Sequence, residues 1–130
     1  MKHAALLVLM LTCCTTFAQP CLKAEDVTFR QLIGTWRAEV EGAPAAVVAL
    51  HRHPKRAGGL RGTVQRGTQR TEIAGDVDDG EVTLEESVNG VNISATWLGD
   101  VVEGSCGREI RGRWKAEGDE QEHAFVLRRP

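Results

Sequence analysis

The sequence contains no tyrosine, and it has only three tryptophans, three phenylalanines and four prolines among 130 residues. This composition indicates neither a proline-rich linker nor a disordered tail. The sequence also lacks an excess of one charge, because 16 basic and 18 acidic side chains leave a formal net charge of -2. A chain without a basic excess has no general attraction to nucleic acid or to an anionic membrane surface. We therefore expect neither as a partner.

Long hydrophobic runs are also lacking, since no segment approaches the roughly 20 apolar residues that span a bilayer. The short run at residues 4–11 follows a basic start and precedes Thr16-Phe17-Ala18, a small-x-small pattern typical of a secretory cleavage site. We predict a signal peptide over residues 1–18, an N-terminal segment over 19–33 and a single domain over 34–130. The mature protein is expected to be periplasmic or secreted, with no membrane span.

Alternation of apolar and polar residues is the dominant pattern from Gly34 onward. Turn residues interrupt it about every ten to twelve positions, the spacing of an antiparallel meander. The predicted strands are 34–41, 45–52, 59–66, 69–77, 81–87, 91–98, 107–116 and 121–129. Asp79-Gly80 and Asn89-Gly90 are expected to form tight primed turns, because these residue types tolerate positive φ. Before the strands, Asp26 is expected to cap one short helical turn.

Several strands place a glycine between two apolar residues on one face. The instances are Leu32-Gly34-Trp36, Leu60-Gly62-Val64, Ile73-Gly75-Val77 and Ile110-Gly112-Trp114. Glycine weakens the middle of a strand unless the sheet bends there or another group comes close. The pattern favours a strongly coiled sheet, with large side chains seated over the glycines. We predict an all-β fold, a small eight-stranded antiparallel up-and-down barrel with a short N-terminal helical turn; an open sandwich is the alternative.

Strand parity also predicts which side chains fill the barrel. An eight-stranded barrel is just wide enough for its inward side chains to meet. The inward candidates are Trp36, Val48, Leu50, Leu60, Val64, Ile73, Val77, Val82, Leu84, Ile93, Trp97, Ile110, Trp114, Phe125 and Leu127. With three indole rings among them, we expect an interior without space for a ligand.

Cysteine is scarce in the predicted mature chain, because cleavage removes Cys13 and Cys14 and leaves Cys21 and Cys106. An export compartment favours oxidation, so one disulfide is the economical interpretation, with two buried free thiols as the alternative. Cys21 precedes the first predicted strand, and Cys106 lies between the sixth and seventh. Both positions belong to the same end of the predicted barrel, so the two sulfurs can meet.

The stretch from Thr28 to Trp36 resembles the opening of the calycin group, which includes the lipocalins, the avidins and small bacterial relatives. In that group a short helical turn leads into Gly-x-Trp at the start of the first strand, matched here by Gly34 and Trp36. The resemblance implies an arginine near the end of the last strand, lying over the tryptophan. Arg129 has the matching parity, and Arg128 is the off-parity alternative.

Within that group, the chain is closest in size to the small secreted protease inhibitors, which also have an eight-stranded barrel and one disulfide. The resemblance implies an exported, non-catalytic binding protein that inhibits or protects an envelope or extracellular enzyme. A lipocalin-like carrier of a small apolar ligand is the alternative. Biotin binding of the avidin type is not expected, because tyrosine is absent. No cofactor is expected either.

Charge is segregated along the chain, which bears on how a protein partner is recognised. Residues 51–71 hold six basic side chains and no acid, whereas residues 72–122 hold fourteen acids and four bases. On a barrel this places a basic sector on strands two to four, which can orient a charged partner. The candidate partner-binding residues are Arg52, Lys55, Arg56 and Arg61.

Two groups of side chains suggest catalytic or metal chemistry, and neither arrangement supports it. His51 and His53 have the spacing of a strand metal pair, with His123 as a candidate third ligand, but His123 starts the last predicted strand at the opposite end. Glu85 and Glu86 are adjacent on a strand and point to opposite faces, so they cannot act on one bond. We expect Glu86 to lie at a frayed strand end, and we predict neither a metal site nor an enzyme.

Overall fold

The computed structural model describes residues 12–14 and 20–130. The predicted signal peptide and its cleavage site lie almost wholly outside the described residues; within it, Cys13 and Cys14 are exposed and unbonded. A 3-10 turn spans Ala24–Asp26 and a short helix, α1, spans Phe29–Leu32. The strands are β1 Gly34–Val40, β2 Ala46–Arg52, β3 Leu60–Arg66, β4 Gln69–Asp78, β5 Glu81–Ser87, β6 Ala95–Val101, β7 Glu109–Ala116 and β8 His123–Arg128.

The eight strands form one closed barrel in which each strand pairs antiparallel with its neighbour in sequence. Closure comes from β1, which pairs with β2 on one side and with β8 on the other, as in Gly34↔Leu50 and Val40↔Phe125. Closure leaves no strand edge unpaired. The predicted up-and-down barrel is confirmed, and the open sandwich is wrong. The barrel is compatible with a calycin-like fold.

Side chains of the inward parity fill the middle of the barrel. Trp36, Trp97 and Phe125 are its largest fully buried residues, and the rings of Trp97 and Phe125 meet edge to face at 5.0 Å. Most of the predicted inward residues are buried, although Val77 and Trp114 are only partly so. Ile93 was wrongly predicted to be buried. It is 42% exposed, because it lies in a loop before β6 begins.

The mid-strand glycines are explained by close approach of neighbouring strands. A Cβ at Gly62 would lie 1.7 Å from the carbonyl oxygen of Ala49. A Cβ at Gly75 or Gly112 would likewise lie 1.9 or 2.0 Å from the carbonyl oxygen of Thr83 or Leu98. These three glycines therefore allow neighbouring strands to approach closely. The atoms nearest to each of these three positions are backbone atoms of the next strand, and large side chains over the glycines stay a prediction.

The two predicted hairpin turns have different outcomes. Asp79 and Gly80 both have positive φ, at 51° and 79°, as a primed turn requires. At Asn89-Gly90 only the glycine does, and the tight turn predicted there is wrong. The Asn89 side chain instead accepts hydrogen bonds from the backbone of Val91 and Asn92, both at 2.9 Å. This wider loop delays β6 to Ala95, four residues beyond the predicted start at 91.

The N-terminal segment lies across one end of the barrel. The predicted helical turn is present as α1, but Thr28 precedes it, and Asp26 belongs to the separate 3-10 turn. The Gln31 side chain accepts the Thr28 backbone N–H at 2.8 Å, which ties the first turn together. We call this end, with the connections at 53–59, 79–80 and 102–108, the closed end. The opposite end, with the connections at 41–45, 67–68, 88–94 and 117–122, is the open end.

Candidate functional site

Trp36 and Arg129 organise the closed end. The Trp36 indole N–H donates to the Leu32 carbonyl at 2.9 Å, and the Arg129 guanidinium lies 4.8 Å from the indole ring centre. Arg129 also donates to the Ile33 carbonyl at 3.0 Å, so both side chains hold the end of α1. Gly34, with φ of 135°, turns the chain from α1 into β1 beneath this guanidinium. These three residues therefore hold the N-terminal segment against the barrel.

Arg128, the alternative to Arg129, lies on the outer surface. Its Nε donates to Glu109 Oε1 at 2.6 Å, and its guanidinium is 3.7 Å from Glu39. The pKa of the Glu109 carboxyl is held below its ordinary value by hydrogen bonds from Arg128 and Arg111. Because successive strand residues point to opposite faces, one of the two terminal arginines faces the surface carboxylates while the other covers Trp36.

The predicted disulfide between Cys21 and Cys106 is confirmed. It joins the N-terminal segment to the connection between β6 and β7. The backbone N–H of Ala24 also donates to Glu103 in this connection at 3.0 Å, and Val27 is buried beneath the segment. A disulfide is typical of proteins that reside in an oxidising compartment. Among the described residues, no helix has the length and hydrophobicity to cross a bilayer.

Only part of the basic sector predicted from the sequence is free to contact a partner. Arg52, Lys55, Arg56 and Arg61 lie at the end of β2, in the connection at 53–59 and at the start of β3. Arg56 donates to the Gly75 carbonyl at 3.2 Å, and Arg61 is 3.9 Å from Glu72, so two of the four are engaged within the chain. The six charges counted from the sequence do not form one surface.

The three histidines among the described residues lie at opposite ends of the barrel. His53 is at the closed end, where its Nδ1 accepts the backbone N–H groups of Lys55 and Arg56. Partial burial and the positive charges of Arg56 and Arg61 lower the pKa of His53, which suits a neutral imidazole that accepts hydrogen bonds. His123 begins β8 at the open end. Within residues 12–14 and 20–130, no three potential metal ligands group together.

The open end contains a buried ion pair that sequence reasoning missed. Glu86 is only 2% exposed, and both of its carboxylate oxygens bind the Arg66 guanidinium. Thr71 donates to Glu86 Oε1 at 2.6 Å, and Trp97 donates to Oε2 at 3.1 Å. The Trp114 indole N–H is 3.5 Å from the same Oε2. The expectation of a frayed strand end at Glu86 is therefore wrong, because five donors stabilise its charge inside the barrel.

Arg66 completes this cluster by lying between two indole rings. Its guanidinium carbon is 6.0 Å from the centre of the Trp97 ring and 5.9 Å from that of Trp114. Burial would raise the pKa of the Glu86 carboxyl, but the hydrogen bonds from Arg66 and Thr71 outweigh it and lower the pKa below its ordinary value. An ionised carboxylate with these donors has little basicity. The arrangement therefore suits a structural ion pair better than a general acid or base.

A shallow cavity of about 180 Å³ lies above the ion pair, at the mouth of the open end. Arg66, Trp114 and His123 line it on one side, and Val40 to Ala43 line it on the other. Ligand pockets for small molecules usually measure about 300–1,000 Å³. Below this mouth, Glu86, Trp97 and Phe125 occupy the barrel, so the cavity does not continue into the interior.

Two exposed loops belong to the same end of the barrel as that mouth. The β5–β6 loop, at 88–94, carries Val88, Val91 and Ile93, which are 72%, 84% and 42% exposed. The β7–β8 loop, at 117–122, carries Glu117, Asp119, Glu120 and Glu122, all exposed. The Glu117 backbone N–H donates to the Ser94 carbonyl at 2.9 Å and holds the loop bases side by side.

No sequence profile of a known protein family matches this chain, and a search of curated proteins also gives no match.

Proposed function

We propose that this chain is an exported, non-catalytic binding protein that acts through its outer surface, as an inhibitor or protective binder of an envelope or extracellular enzyme. The observation that carries the proposal is the filled interior. Trp36, Trp97 and Phe125 are each at most 2% exposed and occupy the middle of the barrel. A close-packed interior has no empty volume that could hold a ligand. Recognition would therefore use the loops and the outer faces of the strands.

The interior chemistry supports a binding role over a catalytic one. Among the described residues, Glu86 is the one charged residue that is buried. Its carboxylate oxygens accept hydrogen bonds from Arg66, Thr71 and Trp97. A group that abstracts or donates a proton needs a free lone pair within reach of a substrate. Glu86 has neither a free lone pair nor contact with solvent.

The closed end supports a more specific class for this binding protein. The arrangement of Gly34, Trp36 and Arg129 beside α1 fits the calycin resemblance, and the small barrel with its Cys21–Cys106 disulfide fits the secreted protease inhibitors of that group. The disulfide supports a working protein in the periplasm or outside the cell, as the signal peptide expected at 1–18 also suggests. A rigid barrel loses little entropy on association, which suits an inhibitor that occludes its target.

A carrier of a small apolar ligand remains the second candidate, on the observation of the mouth cavity beside Trp114. Its volume of about 180 Å³ is below the usual range for ligand pockets. A carrier role would therefore require the loops around the mouth to move apart and the Trp114 ring to shift.

The proposal is tested by incubating the oxidised mature protein with envelope extract and with culture supernatant of the producing cells. We expect a stoichiometric complex with one exported enzyme that survives size-exclusion chromatography and changes that enzyme's turnover or its resistance to proteolysis. The control is the same protein carrying Trp36→Ala, which perturbs the barrel. Absence of any complex in both fractions, with the protein verified as folded, would contradict the proposal.

A further inference from the structure

We infer that the β5–β6 and β7–β8 loops together form the docking surface, and that they fit a partner protein presenting an apolar pocket edged by Lys and Arg side chains. This inference rests on the proposed function and deepens it by naming the surface and the chemistry of the partner. It selects the open end, opposite the N-terminal segment. Val91 and Ile93 there line one surface pocket with Arg61 of the basic sector.

The β5–β6 loop presents apolar side chains to solvent. Val88 and Val91 are 72% and 84% exposed, the largest exposures among the large hydrophobic residues of the described chain. The loop backbone is held, because Asn89 Oδ1 accepts from the N–H groups of Val91 and Asn92. Ser94 closes the loop base by donating from its backbone N–H and its hydroxyl to the Glu86 carbonyl, at 2.6 and 3.1 Å. A clustered, held set of exposed apolar side chains is typical of an interaction site.

The β7–β8 loop supplies charge that the chain itself does not neutralise. None of the salt bridges found among residues 12–14 and 20–130 involves the four carboxylates of this loop. Elsewhere on the described surface the carboxylates are of both kinds: Glu39 and Glu109 contact arginines within 4 Å, whereas Asp76, Glu81 and Asp100 are in no salt bridge. Asp119 also orders its own loop, because its Oδ1 accepts the Gln121 N–H at 3.0 Å.

The two loops act on one partner because they are neighbours. The Glu117–Ser94 hydrogen bond joins their bases, and β6 pairs with β7 between them from Ala95↔Ala116 onward. Apolar side chains beside unpaired carboxylates match a pocket that accepts valine and isoleucine and has cationic side chains at its edge. Complementary charge at an interface raises the association rate and disfavours like-charged partners.

The test is photo-crosslinking in the producing cells, with p-benzoylphenylalanine placed at position 91 of the full chain. The matched control places it at position 47, since Val47 is also an exposed valine but lies on the outer face of β2. We expect a discrete adduct from position 91 and none from position 47. We also expect the crosslinked partner peptide to lie beside Lys or Arg residues.

A second pair of variants tests the charge. Glu117→Gln, Asp119→Asn, Glu120→Gln and Glu122→Gln are combined in the position 91 chain. The control combines Asp76→Asn, Asp78→Asn, Glu81→Gln and Asp100→Asn in the same chain, which removes four exposed carboxylates away from the two loops. We expect the first set to reduce the adduct about tenfold and the control set to leave it unchanged. Thermal melts verify that both variants fold.

The outcomes separate this inference from the proposed function. An adduct that forms equally from positions 91 and 47 overturns the inference, and so does an adduct whose yield is unchanged when the loop carboxylates are neutralised. Either result leaves the proposed surface-acting binding protein in place. A stoichiometric complex in extract without any adduct at position 91 also overturns the inference and leaves the proposed function in place. Absence of both adduct and complex overturns the inference and the proposed function together.

Discussion

The two ends of the barrel are closed by different kinds of interaction. At the closed end, the Cys21–Cys106 disulfide, the buried Val27 and the Trp36–Arg129 stack hold the N-terminal segment in place. At the open end, no such segment covers the barrel among the described residues, and the Arg66–Glu86 pair fills the space beneath the loops. One end is sealed by covalent and apolar contacts, and the other by a buried charge pair.

This difference separates the residues that stabilise the fold from those that are free to recognise a partner. Val27, Trp36 and the Arg66–Glu86 pair are buried or partly buried, and the exposed disulfide is a covalent link, so changing any of them should affect stability. The loops at 88–94 and 117–122 lie outside these contacts, and their exposed side chains contribute little to the core. The predictions below test this separation, beginning with the largest expected effect.

Replacing Trp36 with alanine should have the largest effect. The change leaves a cavity at a fully buried position and removes both the donor to Leu32 and the ring beneath Arg129. We expect a loss of about 3–5 kcal/mol in the free energy of unfolding. Urea titration measures it, with Trp114→Ala as the control, because Trp114 is only partly buried. An equal loss in the two variants would remove the distinction between the ends.

Removing the disulfide with Cys21→Ser and Cys106→Ser should have the next largest effect. The crosslink joins positions 85 residues apart, and the chain-entropy estimate for such a loop gives up to about 4 kcal/mol. The measurement compares thermal melts of the double variant and the oxidised protein. Mass spectrometry of the exported protein provides the control, and two alkylatable thiols without reductant would contradict the account of the closed end.

Glu86→Gln tests the open end. The substitution leaves the Arg66 guanidinium partly buried without its counter-charge, while the side-chain volume is nearly kept. Removing one partner of a buried pair costs about 3–5 kcal/mol, and we expect about 3 because a quarter of the Arg66 side chain reaches solvent. The control is Glu85→Gln on the outer face of the same strand, which should change stability by under about 0.5 kcal/mol.

The stability difference between wild type and Glu86→Gln should change with pH in one direction. The folded-state pKa of Glu86 lies below its ordinary value, so its ionised form stabilises the fold above the ordinary carboxyl pKa of about 4.3. This stabilisation is lost as the pH falls through the lowered pKa. The gap between wild type and Glu86→Gln should therefore be full at pH 7 and shrink in acid. A gap that grows on acidification would mean that Glu86 is protonated in the native state.

The smallest effect on stability is expected from the loop that we assign to docking. Val88→Ser and Val91→Ser change side chains that are 72% and 84% exposed. Each should shift the free energy of unfolding by under about 0.5 kcal/mol, while the complex with the partner weakens. Melting and complex formation are measured on the same preparations. A large loss of stability would show that the loop is part of the core.

The alternation of residue types was enough to predict the barrel but not every element in it. Val91 and Ile93 continue the period-two pattern, yet the Asn89 side chain turns the chain there, and a side-chain hydrogen bond leaves no periodic signal. Glu86 and Arg66 were missed because charged residues are rarely buried. Parity could have found them: Glu86 follows Val82 and Leu84, and Arg66 follows the inward Leu60 and Val64.

The closed-end residues were easier to predict, because a short motif and strand parity both specify them. Gly34 and Trp36 are adjacent to α1 in sequence, and Arg129 shares a face with Phe125 and Leu127. The docking loops gave no comparable signal. Their adjacency depends on the pairing of β6 with β7 and on one backbone hydrogen bond, neither of which a single sequence displays.

The claim that the barrel is filled and acts through its outside is tested most directly by a ligand titration. The mature, oxidised protein is titrated with a fatty acid and with an anilinonaphthalene dye, while tryptophan fluorescence reports on Trp36, Trp97 and Trp114. We predict no saturable change, because Trp97 and Phe125 already occupy the space beneath the mouth. A one-to-one complex that a second apolar ligand displaces competitively would contradict this account and favour the carrier.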